Sequence, residues 1–212
     1  MKKEIKLNEL DIKCLEEMPL ILKVLATTGN KLGRILEPIT KEVKELIDDK
    51  LNQKKGWILS TKIGYEEKYF PFTSHDGKKP SFEVNELDNS FRIETAMFIE
   101  KKNEEDKIIN DFWLIYGYKC LIEDDKQKNN FYFLLRRDEV KKNRAPINKY
   151  QFYTDIEKVM TENYEIDIWH PENGFETEWI ELSIKEKSVS ALMDGYQNFK
   201  DLILIPFLKT LK

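Results

Sequence analysis

Three aromatic-rich segments follow one another near the middle of the chain: FRIETAMFIE at 91–100, FWLIYGYKCLI at 112–122 and FYFLLRR at 131–137. In the first segment, apolar or β-branched residues alternate with charged ones such as Glu94 and Glu100, which is the period of a strand with one buried face. The second segment is apolar on both faces, as is typical of a strand covered on both sides. Together they predict the centre of an antiparallel sheet.

Shorter segments on either side extend the same pattern. Alternation with a period of two recurs at 57–63, 65–73 and 81–87 before the centre, and at 165–169 and 175–184 after it. Turn-forming residues lie between several of these segments. We therefore expect an antiparallel meander of about eight strands.

The N-terminal residues have a helical period instead. Apolar residues recur at spacings of three and four in 7–25 and again in 32–51, and the Gly29-Asn30 pair between them is a typical helix stop. Pro19 and Pro38 also disfavour an unbroken helix. The pattern predicts an N-terminal helical hairpin.

The C-terminal residues predict a long helix that begins near Ser188. Its apolar face consists of Leu192, Tyr196, Phe199, Ile203 and Phe207. Pro206 should kink or fray the last turns.

No linker or repeat divides the chain, so one α+β domain is expected over 1–212. Its parts are a helical hairpin at 1–55, a strand meander at 56–140, a short helix and a hairpin at 141–186, and the C-terminal helix at 187–212. The short helix is expected at Thr154, where a Thr-x-x-Glu capping box occurs. Both terminal helical units carry apolar stripes that can cover one face of the sheet.

The bulk composition limits the class of function. The chain has 212 residues, 35% of them charged, with a net charge of −4. The acidic balance argues against non-specific binding to nucleic acid or anionic lipid, and it leaves a local basic patch open. We expect a cytoplasmic protein with no membrane partner, because no signal peptide or transmembrane run occurs. The bias towards Lys, Asn, Ile and Glu is typical of an AT-rich bacterial or phage genome.

The two cysteines, Cys14 and Cys120, lie in apolar surroundings, and we expect both to be buried free thiols. His75 and His170 fall in predicted turns and are expected to lie in solvent. The chain has no metal-ligand spacing, phosphate-binding glycine loop or nucleophile motif. No cofactor and no metal is predicted.

One triplet permits a catalytic hypothesis. Glu100 and Lys102 have the Glu-x-Lys spacing of many Mg²⁺-dependent nucleases, in which carboxylates hold the metal and the lysine activates water or stabilises charge. Asp88 or Glu94 would supply the second carboxylate. The alternative is a solvated strand end, which such triplets form by chance in a highly charged chain.

A basic stretch supplies a binding hypothesis. It consists of Arg136, Arg137, Lys141, Lys142, Arg144 and Tyr150. Cations beside an aromatic ring suit a phosphate backbone with stacked bases, and equally a protein interface.

The sequence as a whole favours a binding protein over an enzyme. We expect a protein-binding module, such as an inhibitor, an antidote or a complex subunit in a bacterial or phage conflict system. The Mg²⁺-dependent nuclease is one alternative, and a small-ligand binder with a cavity under the C-terminal helix is another. We infer no oligomeric state from the sequence, neither monomer nor oligomer.

Overall fold

A computed structural model of the chain describes residues 8–52, 54–59, 81–85, 90–123, 126–137, 163–169 and 178–211. These residues form an antiparallel sheet and helices, as an α+β fold requires. The strands are β1 (Trp57–Leu59), β2 (Ser81–Asn85), β3 (Ser90–Lys102), β4 (Ile108–Glu123), β5 (Lys126–Arg137), β6 (Tyr164–Trp169) and β7 (Glu178–Ile184). A path of six strands runs in the order β1-β3-β4-β5-β7-β6, and β2 pairs with β3 on the same side as β1.

The three central segments form the long strands β3, β4 and β5, as the sequence predicts. Their register places Ile99 opposite Phe112, and Leu114 opposite Leu135. Both faces of the middle of β4 are buried, because Leu114 and Trp113 are each almost fully shielded from solvent. The predicted strand at 65–73 and the predicted short helix at Thr154 lie outside the described residues.

The prediction of a helical hairpin is wrong. Residues Glu9–Leu51 form a single 43-residue helix, α1, which continues through Pro19, Gly29 and Pro38. Gly29 is buried inside the helix and does not act as a cap. A glycine costs only about 1 kcal/mol in a helix interior, and the buried stripe that follows it offsets that cost. The stripe consists of Leu32, Leu36, Ile39, Val43, Ile47 and Leu51.

The predicted C-terminal helix is present in three consecutive segments. These are α2 (Val189–Phe199), a π-helical turn (Lys200–Leu204) and α3 (Ile205–Thr210). The Ser188 side chain caps α2 by accepting a hydrogen bond from the Ala191 N–H at 3.1 Å. The π turn precedes Pro206, and there the Ile205 N–H donates to the carbonyl of Lys200. The widened turn therefore admits the proline without ending the helix.

All the helices described above lie on one side of the sheet, which we call the helix face. The predicted apolar face of the C-terminal helix is buried at every position. Phe133 contacts the rings of Tyr196 and Phe199 at centroid distances of 5.7 and 5.4 Å, and Phe112 meets Phe207 at 4.9 Å. These ring contacts join α2 and α3 to β4 and β5.

Two glycines permit close approaches between elements. A Cβ at Gly195 in α2 would lie 2.2 Å from Cδ1 of the buried Ile184 on β7. Gly56 precedes β1 with φ +86°, and a Cβ there would lie 2.5 Å from the Lys102 carbonyl oxygen. A side chain at either position would push neighbouring elements apart.

Lys54, which follows α1, holds the C-terminal end of α3. Its ammonium group donates to the carbonyl of Leu208 at 2.9 Å and to that of Leu211, which lie at the C-terminal end of α3. Burial lowers the pKa of this ammonium group, and the nearby positive charge of Lys101 lowers it further. Lys54 therefore satisfies carbonyls that the end of α3 leaves without helical partners.

None of the helices in the described ranges combines the length and the apolar character that a membrane span requires.

Candidate functional site

The opposite side of the sheet, the second face, carries an apolar cluster of its own. It consists of Ala96, Phe98, Trp113, Ile115 and Tyr132, with Leu134 packed against them. The rings of Phe98 and Trp113 lie 4.7 Å apart between centroids. No helical residue of the described ranges belongs to this cluster. All five residues of the cluster are buried, so the second face carries a second buried cluster, distinct from the helix-covered core.

A pocket of about 230 Å³ opens beside this cluster. It is lined by Lys119 of β4, Tyr132, Leu134 and Arg136 of β5, Trp179 and Glu181 of β7, and Asp167 of β6. These residues share one face, because side chains two apart on a strand point the same way. The strand order β4-β5-β7-β6 brings them together.

One wall of the pocket is a fixed ion pair. The Lys119 ammonium group forms a short ion pair with Glu181, and the Ser183 hydroxyl donates to the same Glu181 oxygen at 2.7 Å. Lys119 Nζ also lies 5.1 Å from the centroid of the Tyr132 ring. The side chains of Lys119 and Glu181 are only 16% and 12% exposed. Partial burial, the second hydrogen bond and the ring hold this pair more rigidly than a surface pair.

A hydrogen bond at its hydroxyl group also fixes the Tyr132 side chain. Its hydroxyl donates a short hydrogen bond to the Glu94 carboxylate, and both residues are buried. The hydrogen bond provides the buried charge of Glu94 with a donor. It also fixes the angle at which the Tyr132 ring forms the pocket wall.

The other end of the pocket combines a cation, an acid and apolar surface. Arg136 is the cross-strand neighbour of Trp179, and Asp167 is the cross-strand neighbour of Glu181. Leu134, half-buried, lies in the row between Arg136 and Tyr132. The pocket thus holds two cations, Lys119 and Arg136, and two carboxylates. Such a site can bind groups of both charges at once.

The nuclease candidates are spread along the second face. Glu94 and Glu100 lie on the same strand six residues apart, which corresponds to about 20 Å. Glu100 is buried, contrary to the expectation of a solvated strand end, and lies 3.6 Å from Lys102, which also pairs with Asp106 at 2.8 Å. Asp88 lies outside the described residues. Among the residues that the structure describes, no three metal-ligating side chains converge.

Side chains alternate between the two faces of the sheet along β5, so the first two residues of the basic stretch lie on opposite faces. Arg136 lines the pocket on the second face, whereas Arg137 points to the helix face and is buried against Glu178 at 3.3 Å. Arg137 is therefore shielded from any partner in solution. Lys141, Lys142, Arg144 and Tyr150 lie outside the described residues.

Of the residues that line the pocket, only Arg136 was a candidate from the sequence. The signal for the others is weak: Glu181 and Ser183 alternate with Ile180, Leu182 and Ile184, which indicates a polar face of a strand. This alternation does not reveal which strands are neighbours. Lys119 and Glu181 meet only because β7 pairs with β5.

A second surface feature is the N-terminal half of α1, residues 9–28, which we call the arm. Every residue from 12 to 20 is exposed, whichever side of the helix it occupies. Four of them are large and apolar: Ile12, Leu15, Met18 and Leu20. Helix α1 thus extends away from the rest of the described structure at this end.

The arm also changes the expectation for the cysteines. Cys14 is exposed, as is Met18 one turn further along the same predicted stripe. Cys120 is half-buried. The prediction of two buried thiols is therefore wrong for Cys14. His75 and His170 lie outside the described residues.

Comparisons of the chain with protein-family models, with curated proteins and with solved structures returned no match. We infer its function from two features of its surface, the pocket and the arm.

Proposed function

We propose that the protein is a protein-binding module and that the arm is its docking element. The observation that supports this proposal is the run of exposed residues at 12–20, which includes Ile12, Leu15 and Met18. These three side chains follow one another at intervals of three, close to the helical repeat. Contiguous exposed apolar surface on a folded protein marks an interaction site.

The energetics of the arm also favour a partner. Most of the stability of a protein helix comes from packing of its apolar face, not from helix propensity, and the residues from 12 to 20 are exposed on every side. Pro19 removes the hydrogen bond that the Leu15 carbonyl would accept and costs about 3 kcal/mol. Burial of Ile12, Leu15 and Met18 by a partner would contribute roughly 1.5–3 kcal/mol for each side chain that becomes fully buried. A docked helix would thus offset the instability of the isolated arm.

The charge of the arm indicates the chemistry of its partner. Residues 9–28 contain four acidic residues, Glu9, Asp11, Glu16 and Glu17, and two lysines. Two copies of this acidic arm would repel each other, and the whole chain carries −4. The partner we propose is therefore a cationic amphipathic helix of another protein, bound helix against helix. An inhibitor, antidote or complex subunit of a bacterial or phage conflict system would use such a contact.

A pair of synthetic peptides tests the proposal. One is roughly three heptads long with leucine at the a and d positions and lysine at e and g, and the other carries glutamate in place of lysine. The full chain should bind the lysine peptide, measured by fluorescence anisotropy. Leu15→Ser should weaken binding about tenfold or more, since a buried leucine is lost. Amide hydrogen exchange in residues 9–28 should slow only in the complex.

Val189→Ser is the matched control, because Val189 is 53% exposed and Leu15 is 57% exposed. This control should bind the peptide as the unchanged chain does. Equal binding of the glutamate peptide would contradict the charge argument. A dimer of the protein alone that Leu15→Ser dissociates would show that a second copy is the true partner.

A further inference from the structure

The pocket on the second face uses no residue of the arm, and what it binds is a separate question. Its volume of about 230 Å³ lies below the roughly 300–1,000 Å³ of pockets that hold drug-sized ligands. The ligand must therefore be compact.

Two of the four charged lining residues form an ion pair with each other, and the other two are Arg136 and Asp167. Lys119 and Glu181 neutralise each other through their ion pair. Asp167 is exposed and forms no ion pair in the described part of the chain. Arg136 has contacts of its own and also lines the pocket. A cation on β5 and a carboxylate on β6 thus face the same space, two strands apart.

This arrangement disfavours ligands with a charge of only one sign. A phosphate-like anion that reached Arg136 would also meet the Asp167 carboxylate, and a simple cation that reached Asp167 would also meet Arg136. A ligand that carries both charges can interact favourably with both residues.

The remaining lining supplies apolar surface beside the two charges. Leu134 and Trp179 are half-buried and contribute apolar surface within the same pocket. The side chains of Lys119 and Tyr132 are already fixed by Glu181 and Glu94. A ligand would not have to order these walls on binding, which limits the entropic cost.

We propose that this pocket binds a compact zwitterion of the amino-acid type. Its carboxylate pairs with the Arg136 guanidinium, its ammonium group pairs with Asp167, and its aliphatic part contacts Leu134 and Trp179. The planar guanidinium is suited to a carboxylate because it donates two parallel hydrogen bonds.

Titration calorimetry of the full chain with leucine and three relatives tests the proposal without any mutation. Leucine should bind, N-acetyl-leucine lacks the ammonium group and should bind about tenfold more weakly or worse, and leucine amide lacks the carboxylate and should do the same. Inorganic phosphate should not compete. Absence of leucine binding, or equal binding of N-acetyl-leucine, would overturn the proposal. Phosphate binding that matches leucine would show a simple anion site instead.

Substitutions then assign the two ends of the ligand. Asp167→Asn should weaken leucine binding while leaving N-acetyl-leucine binding unchanged, because only leucine carries the group that Asp167 recognises. Arg136→Gln should weaken the binding of both. Glu165→Gln is the matched control, since Glu165 is exposed on the same face of β6 but does not line the pocket. A loss with Glu165→Gln equal to that with Asp167→Asn would mean that only the general charge of β6 matters, and the assignment would fail.

Discussion

At the scale of single residues, two buried tyrosines on the helix side differ in one hydrogen bond. The Tyr116 hydroxyl lies 2.6 Å from Thr40 Oγ1, whose own proton is directed to the Leu36 carbonyl at 2.9 Å. Tyr116 is therefore the donor of the pair. The Tyr196 hydroxyl is buried and forms no hydrogen bond of ordinary geometry within the described residues, although the Glu42 carboxylate lies near enough to raise its pKa. Burial raises the pKa of both phenols, so both are neutral at pH 7.

Substitution by phenylalanine should change the free energy of unfolding differently at the two positions. Tyr116→Phe removes a made hydrogen bond and should lower the free energy of unfolding by about 1 kcal/mol. Tyr196→Phe removes a buried hydroxyl that lacks a partner, and should be neutral or stabilising by up to about 1 kcal/mol. Urea unfolding at pH 7 measures both, and each variant is the control for the other. An equal loss in the two variants would show that the Tyr196 hydroxyl does contribute a stabilising contact.

At the scale of elements, α1 consists of two halves with different support. From Leu32 onwards one stripe of the helix is buried against the sheet, whereas every residue from 12 to 20 is exposed. Local signals such as Gly29-Asn30 predict a helix stop because they reflect only the intrinsic preferences of those residues, without any tertiary contact. Tertiary burial of Leu32 and Leu36 outweighs them. The apolar spacing predicts a buried stripe in this half, but it does not reveal that the helix continues through Gly29.

The two prolines of α1 provide a test of this division. Pro38→Ala restores a helical hydrogen bond in the packed half and should raise the global free energy of unfolding by up to about 3 kcal/mol. Pro19→Ala should leave the global value unchanged, because the arm opens independently of the core. It should instead slow amide hydrogen exchange within residues 12–20. Equal gains in global stability would show that the arm unfolds together with the sheet.

At the scale of the whole molecule, the sequence predicts the helix face far better than the second face. The strand β4 and the apolar stripe from Leu192 to Phe207 are visible in the sequence because burial imposes a regular period on them. The pocket has no such period. Its lining residues come from four strands, and the order β5-β7-β6 places Glu181 between Arg136 and Asp167. Strand order is a long-range property, so the candidate site could be found only from the structure.

A buried ion pair lies at the end of the sheet, where the strands contact a helix. Arg137 on β5 and Glu178 on β7 are cross-strand neighbours with side chains 2% and 1% exposed, and the Arg137 guanidinium lies 5.5 Å from the centroid of the Phe207 ring on α3. Two strands and a helix therefore meet at this pair. Desolvation of two charges is costly, so the pair is worth little net stability compared with apolar residues of the same size.

Loss of one partner should nevertheless be severe, since it takes one ion-pair contact away from a charge that stays buried. Glu178→Gln should lower the free energy of unfolding by about 3–5 kcal/mol, whereas the double change Arg137→Met with Glu178→Leu should recover most of that loss. Urea unfolding measures each variant. Glu104→Gln is the control, because the Lys55–Glu104 pair is 90% and 88% exposed and should contribute nothing measurable. If the double variant is no more stable than Glu178→Gln, then the ion pair itself, and not the filling of its volume, holds β5, β7 and α3 together.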